Sequence, residues 1–460
     1  MPSPSTVVER RTSLPVPAEE AFAWHTRPGA LERLAPPWER VEVVERHGGV
    51  ENGGRTVLRI GVGPASVRWV AVHRDFEAGL QFADEQAEGP FAYWRHLHRF
   101  EPAATGACVA IDRVEYTPPL GALGAAVARL VARPRVERML AYRHRVLPAD
   151  LTAHARFRDR PRLHVAITGA SGLLGSALTA FLTTGGHRVT AISRGARPGA
   201  VSWDPEAGKL DPAALAGVDA VIHLAGETIA TRWTPARKRR IRESRLAGTR
   251  LLAETLARLP RPPRVLVSAS GIGAYGNRGD ETLTEATSTR DAPPDFFVEL
   301  AREWEAATEP ARAGGIRVVI PRLGVVLTPA GGALQRMLPP FRLGVGGPIG
   351  SGRQWLSWVA MDDALGAVHH ALMSEELTGP VNIAAPQPVR WREFATTLGR
   401  VLRRPAVLPV PAAALRLAFG EMADVALLAS QRVLPARLVE AGYAFRYPAL
   451  EGALRHLLGR

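Results

Sequence analysis

The sequence predicts an α/β chain in which a doubly wound parallel sheet, from about residue 163 onward, follows a smaller α+β domain. Three observations predict it. At 163–184 a short apolar strand runs straight into three spaced glycines and then a helix. Downstream, buried-type strands alternate with helices; upstream, a series of strand-like segments ends in one long helical stretch. With 460 residues, at roughly 100 to 200 per domain, two or three domains are expected. Composition and charge shift near 151–162, which reads as a linker between 1–150 and 163–460.

Hydrophobic residues make up 46% and charged residues 22%, which excludes a disordered or fibrous chain. No apolar run reaches the ~18 residues that a membrane span needs, and residues 1–20 hold prolines and charges where a signal peptide needs an apolar stretch. A cytoplasmic protein is expected. Cys108 is the only cysteine, so neither an intramolecular disulfide nor a cysteine metal site can form, and redox chemistry has to come from a cofactor. The net charge of +14 is spread along the chain and comes almost wholly from arginine, Lys209 and Lys238 being the only lysines, so no nucleic-acid partner is expected. One dense run covers 237–242 and continues to Arg245 and Arg250. Apolar residues recur at helical spacing beyond it, and the run reads as the solvated start of an amphipathic helix; contact with cofactor or substrate phosphates is the alternative.

In the first domain, 7–14 reads as a strand, 18–26 and 29–34 as short helices, and 41–45, 56–62, 67–76, 80–82, 93–100 and 109–116 as strands. A helix from about Leu120 to Val146 closes the unit. This order, with the string Pro28-Gly29-Ala30-Leu31-Glu32-Arg33-Leu34-Ala35-Pro36-Pro37-Trp38, resembles the helix-grip fold of the START-like (SRPBCC) superfamily. The resemblance implies an apolar cavity for a hydrophobic ligand, which Trp69, Phe82, Phe91, Tyr93, Trp94 and Phe100 would line if they are not simply core. His96 and His98 share one strand face, a pattern that suits a metal, but with no third ligand evident nearby they read as surface or structural residues.

The second domain opens with the strand 163–168 and continues into Gly169-Ala170-Ser171-Gly172-Leu173-Leu174-Gly175 and a helix over 176–184. Each glycine has a separate physical reason: one permits a sharp turn, one lets the backbone approach a pyrophosphate, and one lets the helix pack on the strand. The helix N-terminus then attracts the phosphates. Spacing and context therefore predict dinucleotide binding through Gly169, Ser171, Gly172, Leu173, Leu174 and Gly175. The next strand, 187–192, ends in Ser193-Arg194 with Arg197 close behind and carries no acidic residue to bind ribose hydroxyls. That end favours the 2′-phosphate of NADP(H) over NAD(H). Residues 218–226 form a buried strand ending in the small-residue turn Leu224-Ala225-Gly226, 263–268 form another ending at Ser268, and 316–327 supply one more.

These strings resemble the extended short-chain dehydrogenase/reductase superfamily, in its NAD-dependent epimerase/dehydratase branch. Gly169, Gly172 and Gly175 match the glycine fingerprint, and Ser268-Ala269-Ser270 with Tyr275-Gly276 is similar to the strand that carries the family's catalytic Ser or Thr. His223-Leu224-Ala225-Gly226-Glu227, Trp233-Thr234-Pro235-Ala236-Arg237-Lys238, Gly350-Ser351-Gly352-Arg353-Gln354-Trp355 and Gly420-Glu421-Met422-Ala423-Asp424 resemble an atypical subgroup of NADP-dependent oxidoreductases, some of which carry an N-terminal SRPBCC domain. The resemblance implies an NADP cofactor and a small-molecule substrate. One departure stands against it. The family's Tyr-x-x-x-Lys pair cannot exist here, since Pro205 and Thr234 lie four residues before the two lysines, and Phe297 and Ala301 fall where the pair belongs.

Ser270 and Tyr275 are left as candidate proton donors, with the alternative that Ser270 satisfies backbone groups and Tyr275 merely packs. Residues 163–328 are read as the NADP-binding part and 329–460 as a substrate lobe with a helical cap over 412–417, 422–431 and 436–441. In that lobe Asp362-Asp363 either approaches substrate or caps the helix 364–373. The expected function is an NADP(H)-dependent oxidoreductase or epimerase; the alternative is a catalytically silent NADP(H)-binding sensor.

Overall fold

The computed structural model describes residues 5–119, 121–195 and 197–460. They form two compact units, one built mainly from residues up to Pro161 and the other from Arg162 to Leu458.

The first unit contains β1 (Thr6–Leu14), α1 (Ala18–Thr26), α2 (Ala30–Leu34), β2 (Val41–His47), β3 (Arg55–Val62), β4 (Ala65–Glu77), β5 (Gln81–Glu88), β6 (Tyr93–Pro102), β7 (Cys108–Thr117), α3 (Gly121–Leu130) and α4 (Ala132–Ala155). The strands make one antiparallel sheet in the order β1-β7-β6-β5-β4-β3-β2. Burial along β6 alternates residue by residue, with Trp94, His96, His98 and Phe100 inward, as the two-residue period of a half-buried strand requires. On α4 the buried residues Val136, Leu140, His144, Leu147 and Leu151 recur every three or four positions, so one helical stripe faces the sheet. Between sheet and helices lies a cavity of about 640 Å³, lined among others by Leu34, Ile60, Trp69, Phe82, Phe91 and Trp94.

Several expectations are corrected here. Tyr93 is exposed at 40% and Phe100 is core at 1%, so only four of the six aromatic residues line the cavity. The strand expected at 80–82 runs from Gln81 to Glu88 because Asp84 pairs with His96 on β6 and Gln86 and Glu88 pair with Ala71 and Val70 on β4. The closing helix is two helices, and its expected first residue, Leu120, lies outside the described residues. Its end reaches Ala155, inside the stretch read as a linker, because Leu151 remains buried on the core face. His96 and His98 are not at the surface; both are buried.

The second unit opens with β8 (His164–Thr168), α5 (Leu173–Thr184), β9 (Arg188–Arg194), β10 (Val201–Asp204), β11 (Lys209–Leu210), β12 (Ala220–His223), α6 (Pro235–Ala257), β13 (Val265–Ser268), β14 (Ser270–Gly271) and β15 (Thr282–Leu283). It continues with α7 (Phe296–Ala306), α8 (Glu309–Ala313), β16 (Arg317–Leu323), β17 (Val325–Leu327), α9 (Gly332–Arg342), β18 (Trp355–Leu356), β19 (Trp358–Ala360), α10 (Met361–Met373) and β20 (Gly379–Ile383). The last elements are β21 (Val389–Arg390), α11 (Trp391–Leu402), α12 (Ala412–Phe419), β22 (Arg432–Val433), α13 (Ala436–Glu440) and α14 (Leu450–Leu458).

The main sheet has the order β11-β10-β9-β8-β12-β13-β16-β14, with β20 beside β16. Its neighbours from β10 to β16 are parallel. The chain leaves β8 for β9 on one side and later returns to β12 on the other, so a crevice opens at the carboxyl ends of β8 and β12. The strand expected over 316–327 breaks at Gly324, where a Cβ would lie 2.9 Å from the Ser357 carbonyl oxygen; β17 leaves the main sheet there to pair with β19. The helix expected at 422–431 shrinks to a wide turn at Ala423–Leu427. Tertiary hydrogen bonds from Gln431 Nε2 to the Ile272 and Gly276 carbonyls hold the following residues extended, as β22 beside β15.

Candidate active site

The crevice is built first by the glycine turn between β8 and α5. Gly169 has φ +69°, and a Cβ there would lie 3.0 Å from the backbone of Leu224 and Ala225. At Gly175 a Cβ would lie 2.1 Å from the Gly169 carbonyl oxygen, so only glycine lets α5 start this close to the strand. Gly172 N–H donates to the Gly169 carbonyl at 2.9 Å. Ser171, Gly172 and Leu173 are exposed and Leu174 and Gly175 turn inward, leaving bare backbone at a helix N-terminus open to a phosphate group. At the end of β9, Ser193 Oγ donates to the Gly195 carbonyl at 3.3 Å, and Arg194 is exposed.

The facing turn after β12 is held from beneath. Thr168 Oγ1 accepts from the Leu224 and Ala225 amides at 3.1 and 3.2 Å, which leaves its proton for His223 Nδ1 at 2.7 Å. His223 Nε2–H then donates to Thr249 Oγ1 at 3.0 Å, where Trp304 Nε1 also donates at 2.9 Å. Burial, helped by Arg245, pushes His223 down to about 4, so it is neutral at pH 7 and the proton chain has one direction. Arg245 is the residue that the reading of a solvated helix start missed. It is 9% exposed, donates to the Glu227 and Ile241 carbonyls at 3.0 and 3.2 Å, and lies over the Trp304 ring at 5.0 Å. Burial pushes its guanidinium down to about 10 against the pull of Glu227. A Cβ on Gly226 would meet that guanidinium carbon at 3.2 Å, so a full positive charge sits directly behind the turn.

At the end of β13, Ser268 is buried, and its Oγ is without a hydrogen-bond partner among the described residues. Ser270, 4% exposed on β14, donates from Oγ to Glu305 Oε1 at 2.8 Å. Glu305 is in turn held by Arg322 in two parallel hydrogen bonds of 2.8 Å, and the Arg322 guanidinium lies 5.0 Å over the Tyr275 ring. Tyr275 is not brought into the crevice as expected. It is fully buried with Ile272, Leu283 and Val433, and its hydroxyl donates to Asn382 Oδ1 at 2.9 Å. Burial pushes its phenol above the usual value, which removes any tendency to release a proton at neutral pH. Glu305 and Arg322 were missed by sequence reasoning; the one signal was Arg322, standing well inside the strand 316–327 where the only other charged residue, Arg317, lies at its start.

Phe297 packs against Trp233 and Phe296, and Ala301 is buried, so an apolar patch occupies α7 at these positions. Asp362 and Asp363 are structural. Asp362 pairs with His456 at 2.7 Å, and Asp363 accepts from the Arg446 and Tyr447 amides at 2.7 and 2.9 Å. The glycine-rich loop 344–352 leads instead to an open recess of about 660 Å³ that includes Asn277, Asp280, Arg353, Arg390 and Arg392. Among the described residues no helix is long and apolar enough to cross a membrane.

Comparison with known proteins gives matches for both units. Residues 165–384 match the NAD dependent epimerase/dehydratase family, 14–141 the polyketide cyclase/dehydrase and lipid transport family, and 410–457 a domain of unknown function. An epimerase family protein of Mycobacterium bovis is 44% identical over 299 residues, which are 64% of this chain and 98% of that protein. A solved nucleoside-diphosphate sugar epimerase from Corynebacterium glutamicum is similar over 98% of this chain and 90% of its own, with a TM-score of 0.79 and 34% identity. The structure of human epimerase family protein SDR39U1 with NADPH is similar over 64% of this chain and 99% of its own, with a TM-score of 0.59 and 36% identity. This chain therefore belongs to the NAD dependent epimerase/dehydratase family, as a nicotinamide-dinucleotide-binding, epimerase-type protein that carries an N-terminal domain of the polyketide cyclase/dehydrase and lipid transport kind.

Proposed function

We propose that the second unit binds NADP(H) and catalyses oxidoreduction or epimerisation of a small carbonyl or hydroxyl compound. The observation that carries the choice of cofactor is the end of β9, where an exposed Arg194 stands and no carboxylate does. A guanidinium there pairs with a 2′-phosphate, whereas an acidic residue would repel it. The human relative solved with NADPH supports the same reading. Gly169, Ser171, Gly172, Leu173, Leu174 and Gly175 would hold the pyrophosphate, Ser193 and Arg194 the adenosine end, and Leu224, Ala225, Gly226 and Ser268 the wall of the crevice. The nicotinamide supplies or accepts a hydride when bound. Ser270 Oγ, whose proton is given to the Glu305 carboxylate that Arg322 holds, would accept a hydrogen bond from a substrate hydroxyl, and Tyr275 supports Arg322 from below. Wild-type chain should bind NADPH at least tenfold more tightly than NADH by fluorescence titration, and Arg194→Asp should reduce or invert that preference. Equal affinities in the wild type would sink the assignment.

A silent NADP(H)-binding sensor is the second reading, favoured by the engagement of the Tyr275 hydroxyl with Asn382 and by the apolar Phe297 and Ala301. The same preparation separates the two. Turnover of NADPH with any of a carbonyl panel, lowered roughly 10²-fold in Ser270→Ala with cofactor affinity kept, supports the enzyme. Tight binding with no turnover across the panel supports the sensor.

A further inference from the structure

The first unit holds a cluster of ionisable side chains at the wall of its apolar cavity that nothing in the dinucleotide-binding unit uses. Asp84, His96 and His98 all line that cavity. They come from adjacent strands: Asp84 on β5 stands opposite His96 on β6, and His98 on β6 stands opposite Asp112 on β7. One donor atom from each of Asp84, His96 and His98 lies within 4.8 Å of the other two. Asp84 Oδ1 is 3.4 Å from His98 Nε2 and 3.9 Å from His96 Nδ1. Atoms bound to one zinc-sized ion at about 2.0–2.2 Å stand roughly 3 to 3.6 Å apart, so the two Asp84 distances lie at or within a few tenths of an ångström of that range.

What lies behind the two imidazoles is equally specific. Asp112 Oδ1 is hydrogen-bonded to His96 Nε2 at 3.1 Å and lies 2.6 Å from His98 Nδ1, the latter contact being short but off the best hydrogen-bond line. Asp112 Oδ2 is 2.9 Å from His144 Nε2, and His144 Nδ1 is 2.7 Å from Thr12 Oγ1. One buried carboxylate thus faces the rear nitrogen of both histidines. The hydrogen bond fixes His96 with Nδ1 forward, as metal-binding imidazoles are fixed by a carboxylate acceptor, and the contact behind His98 leaves its Nε2 on the side of Asp84. We propose that Asp84, His96 and His98 bind a first-row divalent cation at the wall of the N-terminal cavity, with Asp112 orienting both imidazoles and the ion's remaining coordination positions facing the cavity.

Charge supports the geometry. Two carboxylates, Asp84 and Asp112, share a mostly buried site with the two imidazoles. The site demands a positive charge between the carboxylates, and a divalent ion with two neutral imidazoles would neutralise both. Two nitrogens and one carboxylate suit zinc, ferrous or cobaltous ions and leave room for an oxygen donor from a hydrophobic ligand, such as an enol or a carboxylate. Arg143 also lines the cavity, and its buried Nε has no hydrogen-bond partner among the described residues. Its positive charge favours an anionic head group on that ligand.

The test uses the full-length chain without an affinity tag, stripped with a chelator and titrated with Co²⁺, reading visible absorption and melting temperature. The expected result is saturable binding of a single Co²⁺ per chain with a rise in the melting temperature. Both should be lost in His98→Ala and in Asp84→Asn, the latter nearly isosteric, so that its circular dichroism should match the wild type. Should His98→Ala fail to fold, Asp84→Asn alone decides. No saturable binding by the wild type, or binding unchanged in Asp84→Asn, overturns the proposal and leaves an imidazolium between two carboxylates as the account of the cluster.

Discussion

At the scale of single residues, His223 shows how a buried titratable group can be tied to a binding turn. Its neutral ring relays from Thr168, which holds the Leu224 and Ala225 amides, to Thr249. Its folded value of about 4 lies below the ~6.5 of an unfolded histidine, so between those values the unfolded chain binds more protons. Stability is therefore complete above pH 6.5 and falls as the pH drops towards 4, by up to about 3 kcal/mol for this one group. His25 and His96 are also lowered, to about 3 and about 4, each first by burial, and they add to the acid slope of the whole chain. The informative quantity is therefore a difference. The melting temperature of the dinucleotide-binding unit, followed from pH 7 to 4.5, should drop less steeply in His223→Gln than in the wild type, although the variant starts lower. Parallel curves would show that His223 does not carry the acid sensitivity of the turn.

At the scale of elements, what the sequence discloses is what neighbouring residues along the chain decide together. The strand, glycine turn and helix at 163–184 could be read because apolar run, φ requirement and helix start lie within one stretch, and each has a local physical cause. The metal-like cluster could not. His96 and His98 show their shared face, but Asp84 and Asp112 reach them only through the pairing of β5, β6 and β7, which no local pattern specifies. For the same reason Glu305, on a helix, and Arg322, on a strand, could not be foreseen as partners of Ser270. The expected helix at 422–431 failed because hydrogen bonds from Gln431 to Ile272 and Gly276 outweigh local propensity.

The glycine turn gives the prediction that belongs to this scale, because its glycines do different work. A Cβ at Gly175 meets the Gly169 carbonyl oxygen at 2.1 Å, and backbone cannot yield cheaply, so Gly175→Ala should cost about 1–3 kcal/mol and displace α5 from the strand. A Cβ at Gly172 stands 3.2 Å from the same oxygen on an exposed turn. Gly172→Ala should keep the melting temperature within a degree or two and still weaken NADPH binding, because the added methyl group stands where phosphate approaches. Gly175→Ala should lower both. If both variants bind NADPH like the wild type, the turn is not the phosphate site.

At the scale of the whole molecule the chain joins two units that carry separate chemistry, and the first of them has what independent folding requires. Its sheet has seven strands. Its core of Leu14, Phe22, Trp24, Phe82, Phe100, Tyr142, Leu147 and Leu151 is drawn entirely from residues before 161. Its buried Arg33–Asp150 ion pair, with hydrogen bonds of 2.8 and 2.9 Å, ties the second short helix to the long closing helix. A cavity of about 640 Å³ falls inside the roughly 300–1,000 Å³ of small-molecule sites, and every residue that lines it lies between His25 and Arg143. A fragment of residues 1–161, which keeps the buried Phe157 just beyond the closing helix, should therefore melt in one cooperative transition. It should also bind an environment-sensitive hydrophobic fluorophore with saturable, single-site enhancement. Trp69→Phe would leave folding intact and lower that affinity, since Trp69 stands on the cavity wall in edge-to-face contact with Trp94 at 5.1 Å. A fragment that folds cooperatively yet shows no saturable probe binding would mean that the cavity closes in solution, and the reading of this unit as a hydrophobic-ligand domain would then fall while the dinucleotide-binding unit stood untouched.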